Sequence, residues 1–184
     1  MSAYDYFRSL ILPLNLIDNF LPKTGTIVEL GCGQGVISKF ISKRKKRSVI
    51  GIDNDFKRLP IENEANLIFL KKDITKSNIP RANGYVLSDV LHHLSLSDQK
   101  KILSKVSKNI KKNGVLIIKE IDSSEYIRSK FSRLWDLILY PQDKINYWRS
   151  SDLRRFLTNL GLRVGLERPS RLFPGSTTLY ICRK

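Results

Sequence analysis

A glycine loop between a predicted strand and a predicted helix is the part of this sequence best suited to chemistry. The loop reads Glu29-Leu30-Gly31-Cys32-Gly33-Gln34-Gly35. The run Thr26-Ile27-Val28 precedes it, and the apolar residues at 36, 37, 40 and 41 behind it share one helical face. Glycines let a backbone turn tightly and approach a ligand closely, and the following helix presents free N–H groups. The loop therefore predicts a ligand-binding turn.

The spacing of the glycines narrows the class of ligand. A nicotinamide or flavin fingerprint has the pattern G-x-G-x-x-G, and from Gly31 its third glycine would fall on Val36. Polar residues also follow the later predicted strands. These are Asp53 and Asn54 after 48–52, Asp73 and Ile74 after 67–70, and the run Ser88-Asp89-Val90-Leu91-His92-His93-Leu94 after 85–87.

Taken together, these motifs resemble the class I S-adenosylmethionine-dependent methyltransferases. The pattern E-x-G-x-G-x-G is similar to the first motif of that family, and the run from Ser88 resembles the fourth motif of its small-molecule branch, which contains quinone-type and sterol-type enzymes. Asn113-Gly114 matches the glycine turn of that branch into the fifth strand, and 150–164 resembles its ending of helix, glycine and strand. The resemblance covers roughly residues 27 to 164.

The resemblance implies S-adenosylmethionine as cofactor and assigns its binding residues. Asp53 would hold the ribose hydroxyls, which a carboxylate can accept together, while Asp73 would meet the adenine amino group and Ile74 the adenine ring. The full set is Glu29, Gly31, Cys32, Gly33, Gln34, Gly35, Asp53, Asn54, Asp73, Ile74, Ser88 and Asp89. Two alternatives stay open: Glu29 only braces the loop, and each Asp only forms a turn or a helix cap.

The candidate catalytic residues are His92 and His93, the two histidines of the chain. Adjacent side chains point apart, so at most one faces a site easily, and either a general base or a packing role fits them. No metal-ligand spacing is present, and the two cysteines, Cys32 and Cys182, form no disulfide framework. We predict that Cys32 is a small residue of the loop and not a nucleophile.

An aromatic helical segment over 123–148 is the candidate substrate cap, because it follows the fifth strand and ligands bind at the carboxyl ends of strands in open α/β sheets. Its helical spacing also fits a core role. Arg149 could meet a carboxylate or phosphate, or simply lie at the surface. The candidate substrate residues are Tyr126, Trp135, Tyr147 and Arg149.

The elements that must position these residues form one domain of 184 residues, 41% of them hydrophobic. Strands alternate with helices, so we predict a Rossmann-like α/β fold with a mostly parallel sheet, helices on both faces and an antiparallel hairpin at one edge. The resemblance implies seven strands in the order 3-2-1-4-5-7-6. The pattern of residues 1–22 predicts an amphipathic helical arm that Pro13 kinks or ends. We expect this arm to serve as a lid.

The formal net charge of +16 fits an RNA, an anionic membrane surface or a phosphorylated substrate, and it equally fits a merely solubilising composition. The densest basic run, 43–47, contains no aromatic residue and so does not resemble a base-stacking surface. Asp5 stands early and no basic region precedes it, so we expect no secretory signal. There is also no apolar run of about 18 residues, and together these features predict a cytoplasmic protein.

Three functions follow, in order of preference. The first is a methyltransferase acting on a small organic or lipid-like acceptor, with peripheral membrane contact as an option. The second is an RNA methyltransferase, although the fourth motif is Ser-Asp-Val-Leu and not the Asn/Asp-Pro-Pro-Tyr/Phe type used on base amines. The third is a non-catalytic partner subunit with the same fold, against which the intact glycine loop argues.

Overall fold

The computed structural model describes residues 12–55, 57, 59–60, 63–121, 146–168 and 177–184. Its strands are β1 (Gly25–Leu30), β2 (Arg47–Asp53), β3 (Leu67–Lys71), β4 (Ala82–Ser88), β5 (Ile110–Ile121), β6 (Arg163–Glu167) and β7 (Thr177–Arg183). Its helices are α1 (Leu14–Phe20), α2 (Val36–Ser42), α3 (Leu96–Asn109) and α4 (Ser150–Asn159), with a 3₁₀ turn at Leu91–His93. No helix among these residues is long and apolar enough to cross a lipid bilayer.

All seven strands join one sheet in the order β3-β2-β1-β4-β5-β7-β6, which confirms the predicted topology. The strands β1 to β5 run parallel to one another, and β7 lies antiparallel between β5 and β6. The predicted antiparallel pair at one edge is therefore also confirmed. This arrangement brings the carboxyl ends of β1 to β5 to one end of the domain, where the polar residues of the sequence motifs lie.

Two apolar cores, one on each face of the sheet, hold the helices in place. Helices α1 and α2 bury Ile17, Ile37 and Ile41 on one face. Helices α3 and α4 pack on the other face through the buried residues Ile102, Leu103, Val106, Leu153 and Leu157. Each fully buried aliphatic side chain of this size contributes about 1.5–3 kcal/mol of transfer free energy. The central strands are covered on both faces, as a parallel sheet requires.

Helix α3 differs from the helix predicted at 98–112. Its N-cap is Ser95, not Ser97, because the Ser95 Oγ accepts the backbone N–H of Asp98 at 3.1 Å. The helix ends at Asn109 because Ile110 is extended and pairs with Ala82 of β4, so β5 begins five residues before the predicted strand at 115–118. The glycine turn at Asn113-Gly114 is therefore an irregularity inside β5.

The described part of the N-terminal arm belongs to the core. Pro13 is the N-cap of α1, so a helix begins at this proline. The helical segment that Pro13 was predicted to kink or end precedes it and lies outside the described residues. Asp18 of this helix accepts hydrogen bonds from Arg44 and from Arg47, whose side chain is fully buried. Arg47 belongs to the densest basic run of the sequence, yet it fastens α1 to β2 and is not available to a partner. Residues 1–11 of the predicted lid lie outside the described residues.

Candidate functional site

A cavity of about 710 Å³ opens at the carboxyl ends of β1 to β4. It brings together all the predicted cofactor residues except Gly35. His93, Val90, Leu94 and Leu12 complete parts of its wall, so the described end of the N-terminal arm also reaches it. Its size falls within the range of about 300–1,000 Å³ that is usual for small-molecule sites.

The three glycines of the loop have different tasks. Their φ angles are +76° at Gly31, +51° at Gly33 and +73° at Gly35, in the left-handed region that side chains disfavour. A Cβ atom on Gly31 would lie 2.4 Å from Val90, and one on Gly35 would lie 2.5 Å from the Phe69 ring. A Cβ atom on Gly33 would meet nothing within 4 Å. Packing thus requires the outer two glycines, whereas the middle one faces open space in the cavity wall.

Glu29 holds the loop and α2 together. Its side chain is only 3% exposed, and its Oε2 accepts the Ser38 N–H at 2.8 Å and the Ser38 hydroxyl at 2.5 Å. These bonds are the bracing role that the sequence left open. Glu29 also borders the cavity, so a direct ligand contact stays a prediction.

Asp53 joins the end of β2 to the glycine loop. Its Oδ2 accepts the Gly33 N–H at 2.8 Å, and its Oδ1 accepts the Asp55 N–H at 2.9 Å. Each carboxylate oxygen keeps a further lone pair that can accept from a ligand. This hydrogen bond therefore fixes the positions of Gly33 and Asp53 relative to each other.

Asp73 forms a turn at the end of β3 and also lines the cavity. Its Oδ1 accepts the Thr75 hydroxyl at 2.6 Å and the Thr75 N–H at 2.9 Å. The hydrogen bond from the Thr75 hydroxyl is the main reason that the pKa of Asp73 lies below its usual value, so the carboxylate is ionised at neutral pH. The adjacent Ile74 is buried and offers an apolar wall to the same cavity.

The two histidines border different cavities. His93 lines the large cavity. His92 is 2% exposed, its Nδ1 lies 2.6 Å from Glu120 Oε2, and it borders a second cavity of about 10 Å³, room for about one water molecule. The two rings contact each other with centroids 4.2 Å apart. Of the two, His93 is the one that reaches a space large enough for a substrate.

Lys119 and Glu120, which are not among the predicted site residues, fix the loop that carries both histidines. The Lys119 Nζ donates to both carboxylate oxygens of Asp89, at 2.7 and 2.8 Å. The Glu120 Oε1 accepts the N–H groups of Leu91 at 2.8 Å and Val90 at 3.2 Å. Asp89 has a φ of +56°, so the ion pair holds a strained backbone. A signal existed: two adjacent charges end the apolar run Val115–Ile118.

The remaining candidates are placed less centrally. Tyr126 and Trp135 lie outside the described residues, as does most of the predicted cap. Tyr147 stacks on His92 with ring centroids 5.4 Å apart and borders the small cavity. Arg149 is exposed at the N-terminus of α4, the surface position that the sequence allowed.

Gln34 and Cys32 place one polar acceptor and one unreactive thiol in the loop. The Oε1 of Gln34 is buried without a hydrogen-bond partner in the described part of the chain, so the cavity wall holds an acceptor in need of a donor. Burial raises the pKa of the Cys32 thiol well above its usual value, which keeps it protonated and unreactive. Within the described ranges, no group of three or more His, Cys, Asp or Glu could hold a metal ion.

A family model described as a methyltransferase domain matches residues 3–166. The chain belongs to this methyltransferase family. The predicted resemblance is thereby confirmed at the level of the family, and the small-molecule branch stays a prediction. No curated protein matches the chain.

Solved structures of other methyltransferases share the fold at low sequence identity. An S-adenosylmethionine-dependent methyltransferase from Archaeoglobus fulgidus is 16% identical with a TM-score of 0.73, and the match covers 100% of both chains. Human N-acetylserotonin methyltransferase, solved with S-adenosylmethionine, is 16% identical with a TM-score of 0.72, over 94% of this chain and 52% of that one. The methyltransferase domain described here thus spans about half the length of the human enzyme.

A third neighbour is the magnesium protoporphyrin IX methyltransferase of Synechocystis, solved with bound S-adenosylhomocysteine. It is 16% identical with a TM-score of 0.67, and the match covers 96% of this chain and 81% of that one. At these identities the likeness shows the fold.

Proposed function

We propose that this methyltransferase transfers the methyl group of S-adenosylmethionine to a small organic or lipid-like acceptor and releases S-adenosylhomocysteine. One observation carries the proposal: the glycine loop, Asp53 and Asp73 line a single cavity at the carboxyl ends of the strands. Ligands of open α/β sheets bind at that end.

The residues in the cavity fit this cofactor. Gln34 Oε1 is a buried acceptor that needs a donor, and the ammonium group of the cofactor is one. Gly33 leaves open space beside the loop backbone, where a ligand can approach closely. Asp53 and Asp73 present carboxylates, which accept the hydroxyl and amino hydrogens of a nucleoside.

The chain's own residues would contribute position and exclusion of water. The bound cofactor supplies a methyl group that its sulfonium has already activated. Leu12, Val90 and Leu94 give the cavity apolar walls that keep water from the reacting groups. Holding the acceptor in line with the methyl group is the main catalytic task, because orientation alone supplies much of the rate enhancement.

His93 is the side chain best placed to take a proton from the acceptor. It borders the large cavity, whereas His92 faces a space for about one water molecule. A base is required only where the acceptor loses a proton, as a hydroxyl does. In this proposal the pair formed by His92 and Glu120 positions the loop, and His93 meets the acceptor.

Cofactor binding is the first test. Isothermal titration calorimetry should show that the wild-type protein binds S-adenosylmethionine and that Asp53→Ala weakens binding by about 1–3 kcal/mol, the usual cost of losing a charged hydrogen-bond partner. Asp152→Ala removes an acid on α4 that does not line the cavity and should bind normally. Equal affinities in Asp53→Ala and the wild type would contradict the proposed cofactor site.

The acceptor class is tested with radiolabelled S-adenosylmethionine and a panel of small metabolites, lipid extracts and RNA. Label in the small-molecule or lipid fraction supports the proposal. Label in RNA alone would overturn the proposed acceptor class while leaving the cofactor assignment intact, because calorimetry reads the cofactor independently.

A further inference from the structure

A row of basic side chains lies at the end of the sheet opposite the cavity. The name basic row is used here for six exposed Lys and Arg residues, one at that end of each of six adjacent strands. In sheet order they are Lys46 beside β2, Lys23 beside β1, Arg81 beside β4, Lys112 in β5, Arg183 in β7 and Arg163 in β6. With strands about 4.8 Å apart, the row is roughly 24 Å long.

The described acidic residues lie mostly at the other end of the strands. Among the described acidic residues, only Asp18 and Glu64 lie near the amino ends of the parallel strands. Asp18 is bonded to Arg44 and Arg47, and Glu64 precedes β3, outside the row. The basic row therefore has no acid of the described chain to neutralise it, so it presents a continuous positive potential.

The basic row also destabilises the fold, which charges that serve only solubility would not need to do. Arg163 and Arg183 are directly paired residues of β6 and β7 and carry like charges. Like charges directly opposite one another destabilise a sheet. A polyanion bound across the row would relieve this repulsion.

We infer that the basic row binds the phosphate backbone of a nucleic acid duplex without reading its bases. The row is a line of charges, and its length matches about seven base pairs at 3.4 Å each. The exposed large apolar residues of the described chain, Ile68, Leu96 and Leu166, all lie elsewhere, so the row offers a bilayer no side chain to insert. Charge without aromatic or apolar contact suits phosphates better than it suits unpaired bases or lipid.

This surface is separate from methyl transfer. The six residues of β1 place the row and the cavity at opposite ends of a strand about 20 Å long. A duplex on the row therefore cannot also enter the cavity of the same molecule. The row holds the enzyme on a nucleic acid, and the acceptor reaches the cavity from the free side.

The test compares two triple variants that remove the same charge. Lys46→Gln, Arg81→Gln and Arg183→Gln cut the row on three strands, while Lys100→Gln, Lys101→Gln and Arg154→Gln remove exposed charges from α3 and α4. The probes are fluorescent DNA and RNA duplexes of about 20 base pairs, titrated at about 50 to 200 mM salt. We expect the wild type and the control variant to bind with equal affinity, and each to bind the DNA and the RNA duplex equally well. The row variant should lose about tenfold or more in affinity, and its salt slope should fall by about three.

Three results would overturn the inference. They are an equal loss in both variants, no binding of either duplex by the wild type, and binding confined to vesicles of anionic phospholipid. Circular dichroism and S-adenosylmethionine titration of both variants show whether they are folded. Cofactor binding should be unchanged in both variants. Duplex binding therefore tests the basic row, and S-adenosylmethionine titration tests the proposed function separately.

Discussion

Gly33 differs from the other two glycines of the loop because packing does not require it. Its N–H is held by Asp53, its φ is positive, and the side on which a Cβ would stand is empty. Its neighbours Gly31 and Gly35 lack that space, since Val90 and Phe69 fill it. A substitution at Gly31 or Gly35 would therefore disturb folding as well as binding. A substitution at Gly33 tests binding with little effect on packing.

Gly161 provides a matched control for this residue. It also has a positive φ, +81°, and a Cβ there would also meet nothing within 4 Å. Gly33→Val and Gly161→Val should each cost about 1–2 kcal/mol of stability through backbone strain. Only Gly33→Val should abolish S-adenosylmethionine binding in calorimetry. Loss of binding in both variants, or in neither, would contradict the role given to Gly33.

Local pattern could predict the glycine loop and both acids, because each of these residues is recognised by its position at the end of a strand. For Lys119 and Glu120 it offers only two adjacent charges at the end of an apolar run, which do not reveal their partners. Their partners Asp89 and His92 are 30 and 28 residues away along the chain, and only the pairing of β4 with β5 brings them together. Residues whose role depends on a distant partner leave little trace in a single sequence.

At the scale of elements, the end of β5 fixes the loop after β4. Successive strand residues point to opposite faces, so Lys119 reaches Asp89 while Glu120 reaches His92 and two backbone N–H groups. Both side chains are buried, which makes their hydrogen bonds hard to replace by water. The loop that carries His93 is therefore held from two sides.

Glu120→Gln should lower kcat about 10- to 100-fold, because a small displacement of a catalytic group is enough for such a loss. The amide oxygen can still accept from Leu91, but the charge beside His92 is gone. Cofactor affinity should change little, and Glu120→Asp should recover part of the activity. A parallel fall in cofactor affinity and thermal stability, with kcat unchanged, would mean that Glu120 only supports the fold.

Helix α1 is coupled to β2 through Asp18, and this coupling should depend on pH. Burial alone would raise the pKa of Asp18, but the hydrogen bonds from Arg44 and Arg47 outweigh it and hold the pKa below its usual value. A carboxylate with a lowered pKa stabilises the fold above its unfolded pKa of about 3.9, and that stabilisation is lost as pH falls through the folded value.

Asp18→Asn should therefore destabilise the protein at pH 7 by about 3 kcal/mol, because Arg47 would be left buried without its counter-charge. Urea unfolding from pH 7 downward should show the two proteins converging below pH of about 4. Asp98→Asn, at the exposed start of α3, is the control and should cost much less, because solvent screens its ion pair with Lys101. A constant difference across the pH range would contradict the ion-pair explanation.

Element boundaries were harder to predict than the elements themselves. The segments 26–30 and 48–52 were recognised as strands because their short runs of Ile, Val and Leu fit a parallel sheet. The start of β5 at Ile110 was missed because only its pairing with Ala82 takes it out of the helix. The N-cap of α3 was placed two residues late because Ser95 and Ser97 offer the same hydroxyl, and only the bond to Asp98 distinguishes them.

At the scale of the whole molecule, the N-terminal segment can be divided by its contacts. From Leu12 onward the chain packs in the core or lines the cavity, and Ile17 is fully buried. We predict that a protein lacking residues 1–11 folds with unchanged thermal stability and loses most of its turnover on a soluble acceptor, as removal of a lid would require. Unchanged turnover, with lost binding to anionic vesicles, would show an anchor in place of a lid.

The concentration of the described acids towards the cavity end of the strands gives this methyltransferase an electric dipole moment along them. Its positive end lies at the basic row and its negative end at the carboxylates around the cavity. On a sulfonate cation-exchange bead the molecule would therefore settle in one orientation, with the cavity facing the solvent. The enzyme could then be immobilised without a tag or a covalent linker, and salt would release it.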